Sequence, residues 1–338
     1  MSQPSISSRS PYPGLRPFRR DEADLFFGRD EHVNRLLERL AARRIAAVAG
    51  PSGSGKTSLV RAGLLPALEG GLLLEAGARW YVAEMRPGRH PLWNLAEVLL
   101  SSGVFGQTID ELPRVAPFLH AALRRGPRGL IEALCQRPAF QRRTLLLVID
   151  SFEELLRDSG VDEAEAEAFV QLLLTTVASR DVSVYVVLTV RSEKLGVCQR
   201  YIGLPETLND CLLHTPRMSR EQLRAAILGP AAACGATVEP EFVNELLNDM
   251  RSEADDLPRM QHLLRRVWQL RHNVTDDTDR QRPILRLEDY DDVGGLAHAL
   301  SNHADEAFDA LTPSGRLLAE RLFRALSERG GEGADLRR

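Results

Sequence analysis

The chain has 338 residues, room for two or three domains, and its formal net charge of −4 offers no broad basic field for nucleic acid or an anionic membrane. Its four cysteines (Cys135, Cys198, Cys211 and Cys234) form no C-x-x-C pair, which argues against a disulfide framework and against thiolate metal binding. No apolar run approaches the ~20 residues that span a bilayer, and the opening MSQPSISSRSPYPG lacks the apolar core of a secretory signal, so the expectation is a cytoplasmic protein.

From Asp30 the stretch DEHVNRLLERLAAR sets Val33, Leu36, Leu37, Leu40 and Ala41 on one stripe, which predicts an amphipathic helix capped by Asp30. RIAAVAG (Arg44–Gly50) predicts a buried strand. It runs into Gly50-Pro51-Ser52-Gly53-Ser54-Gly55-Lys56-Thr57, which fits G-x-x-x-x-G-K-[ST]. Glycines let such a loop turn its N–H groups inward around a phosphate chain, and the helix that follows aims its positive end there. The candidate nucleotide-binding residues are therefore Gly50, Ser52, Gly53, Ser54, Gly55, Lys56, Thr57 and Ser58. Lys56 is expected to reach the β and γ phosphates, and Thr57 to ligate Mg²⁺. Of 43 basic residues only Lys56 and Lys194 are lysine, and one of the two stands at the required position, where the wide head of arginine fits poorly.

Further along, RWYVAEM (Arg79–Met85), TLLLVID (Thr144–Asp150) and VSVYVVLTV (Val182–Val190) read as buried strands. Helices alternate with them, among them DEAEAEAFVQLLLTTVAS, whose acids load the first turns. This alternation predicts an α/β fold, a parallel sheet with helices on both faces and the phosphate loop at its carboxyl edge. After about Thr215 the pattern becomes helical with essentially no strands, opening on a capping box from Ser219 to Gln222. TDDTDRQRP (Thr275–Pro283) reads as a polar linker. The expected organisation is an N-terminal extension over 1–25, a nucleotide-binding domain over 26–218, a helical lid over 219–275 and a third helical unit over 284–338.

LLLVIDSFEEL carries the candidate acids. An acid at the end of a neighbouring strand can hold Mg²⁺ through water, and a nearby carboxylate can orient the attacking water. Asp150 suits the first task, against the alternative that it caps the next helix. Glu153 and Glu154 both suit the second. Arg191 ends the next strand, placed either to sense a γ-phosphate or to pair with Glu193. The eight histidines show no metal-ligand spacing. A GTPase would carry N-K-x-D and a transporter ATPase an L-S-G-G-Q-type signature; both are absent, and no acceptor pocket for a small-molecule kinase is legible.

Together PYPGLRPFRRDEADLFFGRDEHVNRLLERL, GPSGSGKTSLVRAGLLPAL, LLLVIDSFEELL, VVLTVRSE and DDLPRMQHLL resemble the bacterial novel STAND NTPases (signal-transduction ATPases with numerous domains), from about Pro11 to about Ser327. The resemblance implies that Phe27, Gly28 and Arg29 pack on adenine, that Asp150, Glu153 and Glu154 form an extended magnesium-and-water motif, and that Arg191 is an arginine sensor. It implies that Pro258 contacts the base from the lid, with Asp256 where the family motif has glycine, and that the last helices begin a winged-helix-like domain cut short at Arg338. It further implies a slow ATPase with a closed ADP resting state and a self-associating ATP state, and a sensor and effector outside this chain. The rival is an AAA+ initiator-like ATPase that binds DNA, which the acidic balance counts against; a scaffold that binds nucleotide without hydrolysis is a second alternative.

Overall fold

The computed structural model describes residues 9–73, 76, 79–106, 111–137, 140, 143–156, 162–250, 256–273, 283–327, 329–330 and 334–335. Two compact units are present. One comprises Arg16–Pro230 and Ser252–Leu257; the other comprises Met1–Leu15, Ala231–Arg251 and Pro258–Arg338.

The first unit is built on five parallel strands: β1 (Ile45–Gly50), β2 (Trp80–Met85), β3 (Thr144–Ile149), β4 (Val184–Arg191) and β5 (Leu212–His214), in the order β2-β3-β4-β1-β5. Alternation within the strands divides the core in two. Ala46, Val48, Leu146, Val148, Tyr185, Val187 and Leu213 meet α1 (Asp30–Arg43) and the helix after the phosphate loop. Ala47, Ala49, Leu145, Leu147, Ile149, Val184, Val186 and Leu188 meet helices on the opposite face, including α4 (Pro91–Ser101), α5 (Leu112–Leu123), α6 (Gly129–Cys135), α7 (Glu163–Ala178) and α8 (Leu204–Cys211). Burial on both faces explains why the strands read as continuous apolar runs.

Three local expectations change. Asp30 is the first residue of α1, and its N-cap is Arg29, which makes no side-chain capping bond. Asp30 serves the helix through its charge near the positive end. The phosphate-loop helix begins as α2 (Lys56–Ser58), widens into a π-helical stretch over Leu59–Leu64 and resumes as α3 (Leu65–Glu69). The pairing of β5 with β1 through Leu212, Leu213 and His214 adds a strand too short to show a period.

Helix α9 (Arg220–Ala233) opens on the expected capping box: the Ser219 N–H donates to Gln222 Oε1 at 2.9 Å, and the Gln222 N–H to Ser219 Oγ at 3.2 Å.

The second unit is helical, with α10 (Pro240–Asp249), α11 (Asp256–Asn273, from Pro258 onward), α12 (Leu287–Asp292), α13 (Gly295–Asp309) and α14 (Pro313–Ser327). It holds two pairs of two-residue strands that the sequence does not announce, β6 (Thr237–Val238) parallel to β7 (Ile284–Leu285) and β8 (Arg329–Gly330) antiparallel to β9 (Ala334–Asp335). Met260, Leu263, Leu264, Val267 and Trp268 are buried, as their helical stripe requires. The N-terminal Tyr12 is fully buried, and Arg265 donates to the Pro13 carbonyl at 2.8 Å. The linker expected over Thr275–Pro283 lies outside the described residues except for Pro283.

The core assignment makes a direct prediction. Leu147→Ala in the interior strand β3 should cost about 2–5 kcal/mol in urea unfolding. Glu38→Ala on the exposed side of α1 should stay within about 0.5 kcal/mol.

Candidate functional site

The site forms where β1, β4 and β3 end side by side. Backbone register sets its geometry: Gly50, the first loop glycine, pairs with Arg191, and Val48 pairs with Thr189. On the other side of β4, Ile149 pairs with Leu188, which leaves Asp150 one step beyond the ladder.

The phosphate loop needs its glycines for stated reasons. Gly53 (φ +72°) and Gly55 (φ +87°) adopt left-handed conformations. A Cβ at Gly50 would lie 2.1 Å from Thr215 Oγ1 and 2.5 Å from Ser54 Oγ. Thr215 itself donates to the Ala49 carbonyl at 2.8 Å, so the residue after β5 closes on the base of the loop. Lys56 Nζ donates to the carbonyls of Gly50 (2.9 Å) and Pro51 (2.7 Å). Burial holds its ammonium below the ordinary lysine range; Arg191 pushes the same way, and Glu153, Glu193 and Asp150 oppose it.

Asp150 is 2% exposed and caps no helix through its side chain among the described bonds. Its Oδ1 accepts from Thr57 Oγ1 at 2.9 Å and from Thr189 Oγ1 at 2.7 Å. Arg86, at the end of β2, stands 3.5 Å from Oδ2. Next, Ser151 holds φ +56°, an uncommon conformation for a residue with a Cβ, and its N–H donates to Thr189 Oγ1 at 2.9 Å. This sharp turn leads into one helical turn over Phe152–Leu156, which separates the two glutamates. Glu153 is buried; it accepts from the Arg191 N–H at 3.2 Å and lies 3.3 Å from Arg191 Nε. Glu154 is half-buried and accepts from the Gly88 N–H at 3.3 Å. Arg191 therefore pairs first with Glu153, with Glu193 farther off at 3.9 Å.

Phe27, Gly28 and Arg29 lie together in the same unit. Gly28 (φ +83°) passes so close to α9 that a Cβ would fall 2.5 Å from the Gln222 carbonyl oxygen. A Cβ on Gly229 would fall 2.4 Å from the Phe27 ring. Arg29 is buried and turns inward, donating to the carbonyls of Pro216 (3.0 Å) and Ser54 (3.4 Å); burial lowers its pKa to about 10. It thereby ties the phosphate loop to the segment after β5. Ser58 accepts from the Phe18 N–H at 3.2 Å. Pro258 lies near the start of α11, where the missing N–H of proline is harmless, and belongs to the helical unit.

The structure thus gathers Lys56, Thr57, Asp150, Glu153 and Arg191 at one sheet edge. Glu154 turns toward the end of β2. Thr189, Thr215 and Arg86 join this edge without having been read from the sequence. The one available signal was a hydroxyl, Thr189, standing near the end of the apolar run VSVYVVLTV.

The left-handed loop glycines, the lysine at the helix start and a buried carboxylate beside a threonine hydroxyl fit a nucleotide phosphate chain with a hard, oxygen-seeking cation such as Mg²⁺.

A family described as nSTAND1, Novel STAND NTPase 1, matches residues 11–338. The Aeropyrum pernix ORC2 protein in its ADPNP–ADP complexes is 17% identical, with 91% of this chain and 74% of that one covered and a TM-score of 0.55. Its ADP form is 16% identical, covering 92% and 73%, with a TM-score of 0.53. Drosophila ORC bound to DNA is 16% identical, covering 96% and 77%, with a TM-score of 0.48. No curated protein matches. At these identities the ORC2 likeness is one of fold, the α/β P-loop fold, and it lends no support to the charge-based expectation against nucleic acid.

Three substitutions at two positions test the backbone of this site. Ser151→Gly should keep or slightly raise stability, whereas Ser151→Val should cost about 1–2 kcal/mol because of the left-handed turn. Gly28→Ala should lower the thermal midpoint, since its Cβ must displace the Gln222 carbonyl in a backbone held at φ +83°.

Proposed function

The chain belongs to the Novel STAND NTPase 1 family and is a P-loop NTPase, and on that premise we propose that it is a slow ATPase acting as a signal-transduction switch. The observation that carries the proposal is the 2.9 Å bond between Thr57 of the phosphate loop and the buried Asp150. It supports the reading because a hydroxyl and a carboxylate within reach of each other are what a Mg²⁺ ion on a triphosphate needs.

In this reading the loop N–H groups and Lys56 bind the phosphates, and Thr57 and Asp150 hold Mg²⁺, which neutralises charge on the phosphate oxygens when bound. Phe27 and Gly28 form a wall of the base site, and Pro258 is the lid's contact to the base. Arg191 senses the third phosphate. Its pairing with Glu153 supports a two-position role, because a guanidinium shared between a carboxylate and a phosphate distinguishes ATP from ADP. Glu154 is free of Arg191 and is the better placed of the two to orient water. The ADP form is the resting state and the ATP form self-associates, with signal and effector supplied from outside this chain. The activity is assigned to the cytoplasm.

The first test is to purify the protein without added nucleotide, denature it and identify what is released. Stoichiometric ADP is expected. An empty site with brisk ATP turnover would overturn the switch and favour a cycling enzyme. Arg191→Ala should weaken ATP about tenfold or more while sparing ADP. Glu154→Gln should slow phosphate release about 10²-fold with nucleotide still bound, and unaltered release would count against hydrolysis through Glu154. A salt-dependent DNA mobility shift would instead favour the initiator-like alternative.

A further inference from the structure

We propose that Thr189 is a positioning residue for the magnesium-binding acid, its hydroxyl fixing both the Asp150 carboxylate and the backbone turn that follows. The proposal rests on the reading of Asp150 given above.

Three observations carry it. Thr189 lies on the strand between the phosphate loop and the acid: it pairs with Val48 on one side, while on the other its neighbour Leu188 closes the ladder with Ile149. It therefore stands level with Asp150, the next residue of the chain. Second, both capacities of its hydroxyl are spent inward. The proton goes to Asp150 Oδ1 (2.7 Å), and the oxygen accepts the Ser151 N–H (2.9 Å), in a residue only 2% exposed. Third, the captured N–H belongs to the residue in the left-handed conformation (φ +56°), so the same hydroxyl holds the strained turn that presents Glu153 and Glu154.

Division of labour at the carboxylate follows. Oδ1 receives two hydroxyl donors, Thr57 and Thr189, whereas Oδ2 has Arg86 at 3.5 Å, a side chain 64% exposed. Thr57 has a second duty toward the cation. Thr189 has none, and is the donor that keeps Oδ1 engaged, leaving Oδ2 as the more available oxygen. A threonine that merely filled a buried strand would also satisfy its hydroxyl. It would not govern how tightly the acid binds a cation, and that difference can be measured.

The experiment is calorimetric titration of ADP into the full chain, in EDTA and across a Mg²⁺ series, with thermal melting alongside. For Thr189→Val, ADP affinity in EDTA should stay within about twofold of the native protein while the Mg²⁺ midpoint rises about tenfold or more, the usual consequence of losing a partner that orients a metal ligand. Thr189→Ser keeps the hydroxyl and should restore the native midpoint. A midpoint for Thr189→Val within about twofold of native would overturn the proposal. If Thr189→Val does not fold, Thr189→Ala carries the same expectation, and failure of both to fold while Thr189→Ser folds would assign a purely structural role and overturn it too. Asp150→Ala in the same series should abolish the Mg²⁺ effect. If it does not, the reading of Asp150 falls; if it does while Thr189→Val leaves the midpoint in place, only the present proposal falls.

Discussion

A carboxylate 2% exposed at the end of β3 is the constraint around which the sheet edge is arranged. A buried anion is costly unless donors surround it. Here they come from three elements: Thr57 at the start of α2, Thr189 near the end of β4, and Arg86 after β2. Each donor also ties its own element to the acid. The burial of one charge thus makes the phosphate-loop helix, the central strand and the sheet's β2 side converge on one point.

Strand order makes this convergence possible. With β4 inserted between β1 and β3, the phosphate loop and the acid are separated by one strand, and that strand ends in Thr189 and Arg191. Adjacent strands lie about 4.8 Å apart, so the gap is one that a helix-start hydroxyl can bridge. β4 then acts on the acidic turn twice, through Thr189 to Asp150 and Ser151 and through Arg191 to Glu153. A switch that reads a third phosphate through Arg191 would disturb Glu153 by the same movement.

The N-terminal segment belongs to two units. Tyr12 and Pro13 pack with the helical unit, where Arg265 holds the Pro13 carbonyl; from Arg16 onward the chain belongs to the sheet unit, where the Phe18 N–H meets Ser58, two residues after Lys56. Arg16 pairs with Glu22 through both oxygens, at 2.7 and 2.5 Å, which stiffens the start of this second stretch. The polar, proline-rich character of PYPGLRPFRRDE reads as an extension, yet Tyr12 is wholly buried. Composition reports what a segment could bury on its own, not what a distant helix offers it.

What the sequence determined by itself was local and periodic. The phosphate loop, four of the sheet strands, the stripes of α1 and α11, and the capping box at Ser219 follow from spacing, because backbone sterics and burial act within a few residues. It also marked Asp150 and Arg191 as ends of strands, and Glu153 and Glu154 as carboxylates close behind the first. Tertiary structure alone decided that Arg191 pairs with Glu153 before Glu193, that Arg29 points at the Ser54 and Pro216 carbonyls, and that Thr189 and Thr215 close on the site. Each of these depends on which strands become neighbours, for which no periodicity in the chain supplies a signal. Asp150 and Thr189 are 39 residues apart, and only the insertion of one strand beside another brings their side chains within 2.7 Å.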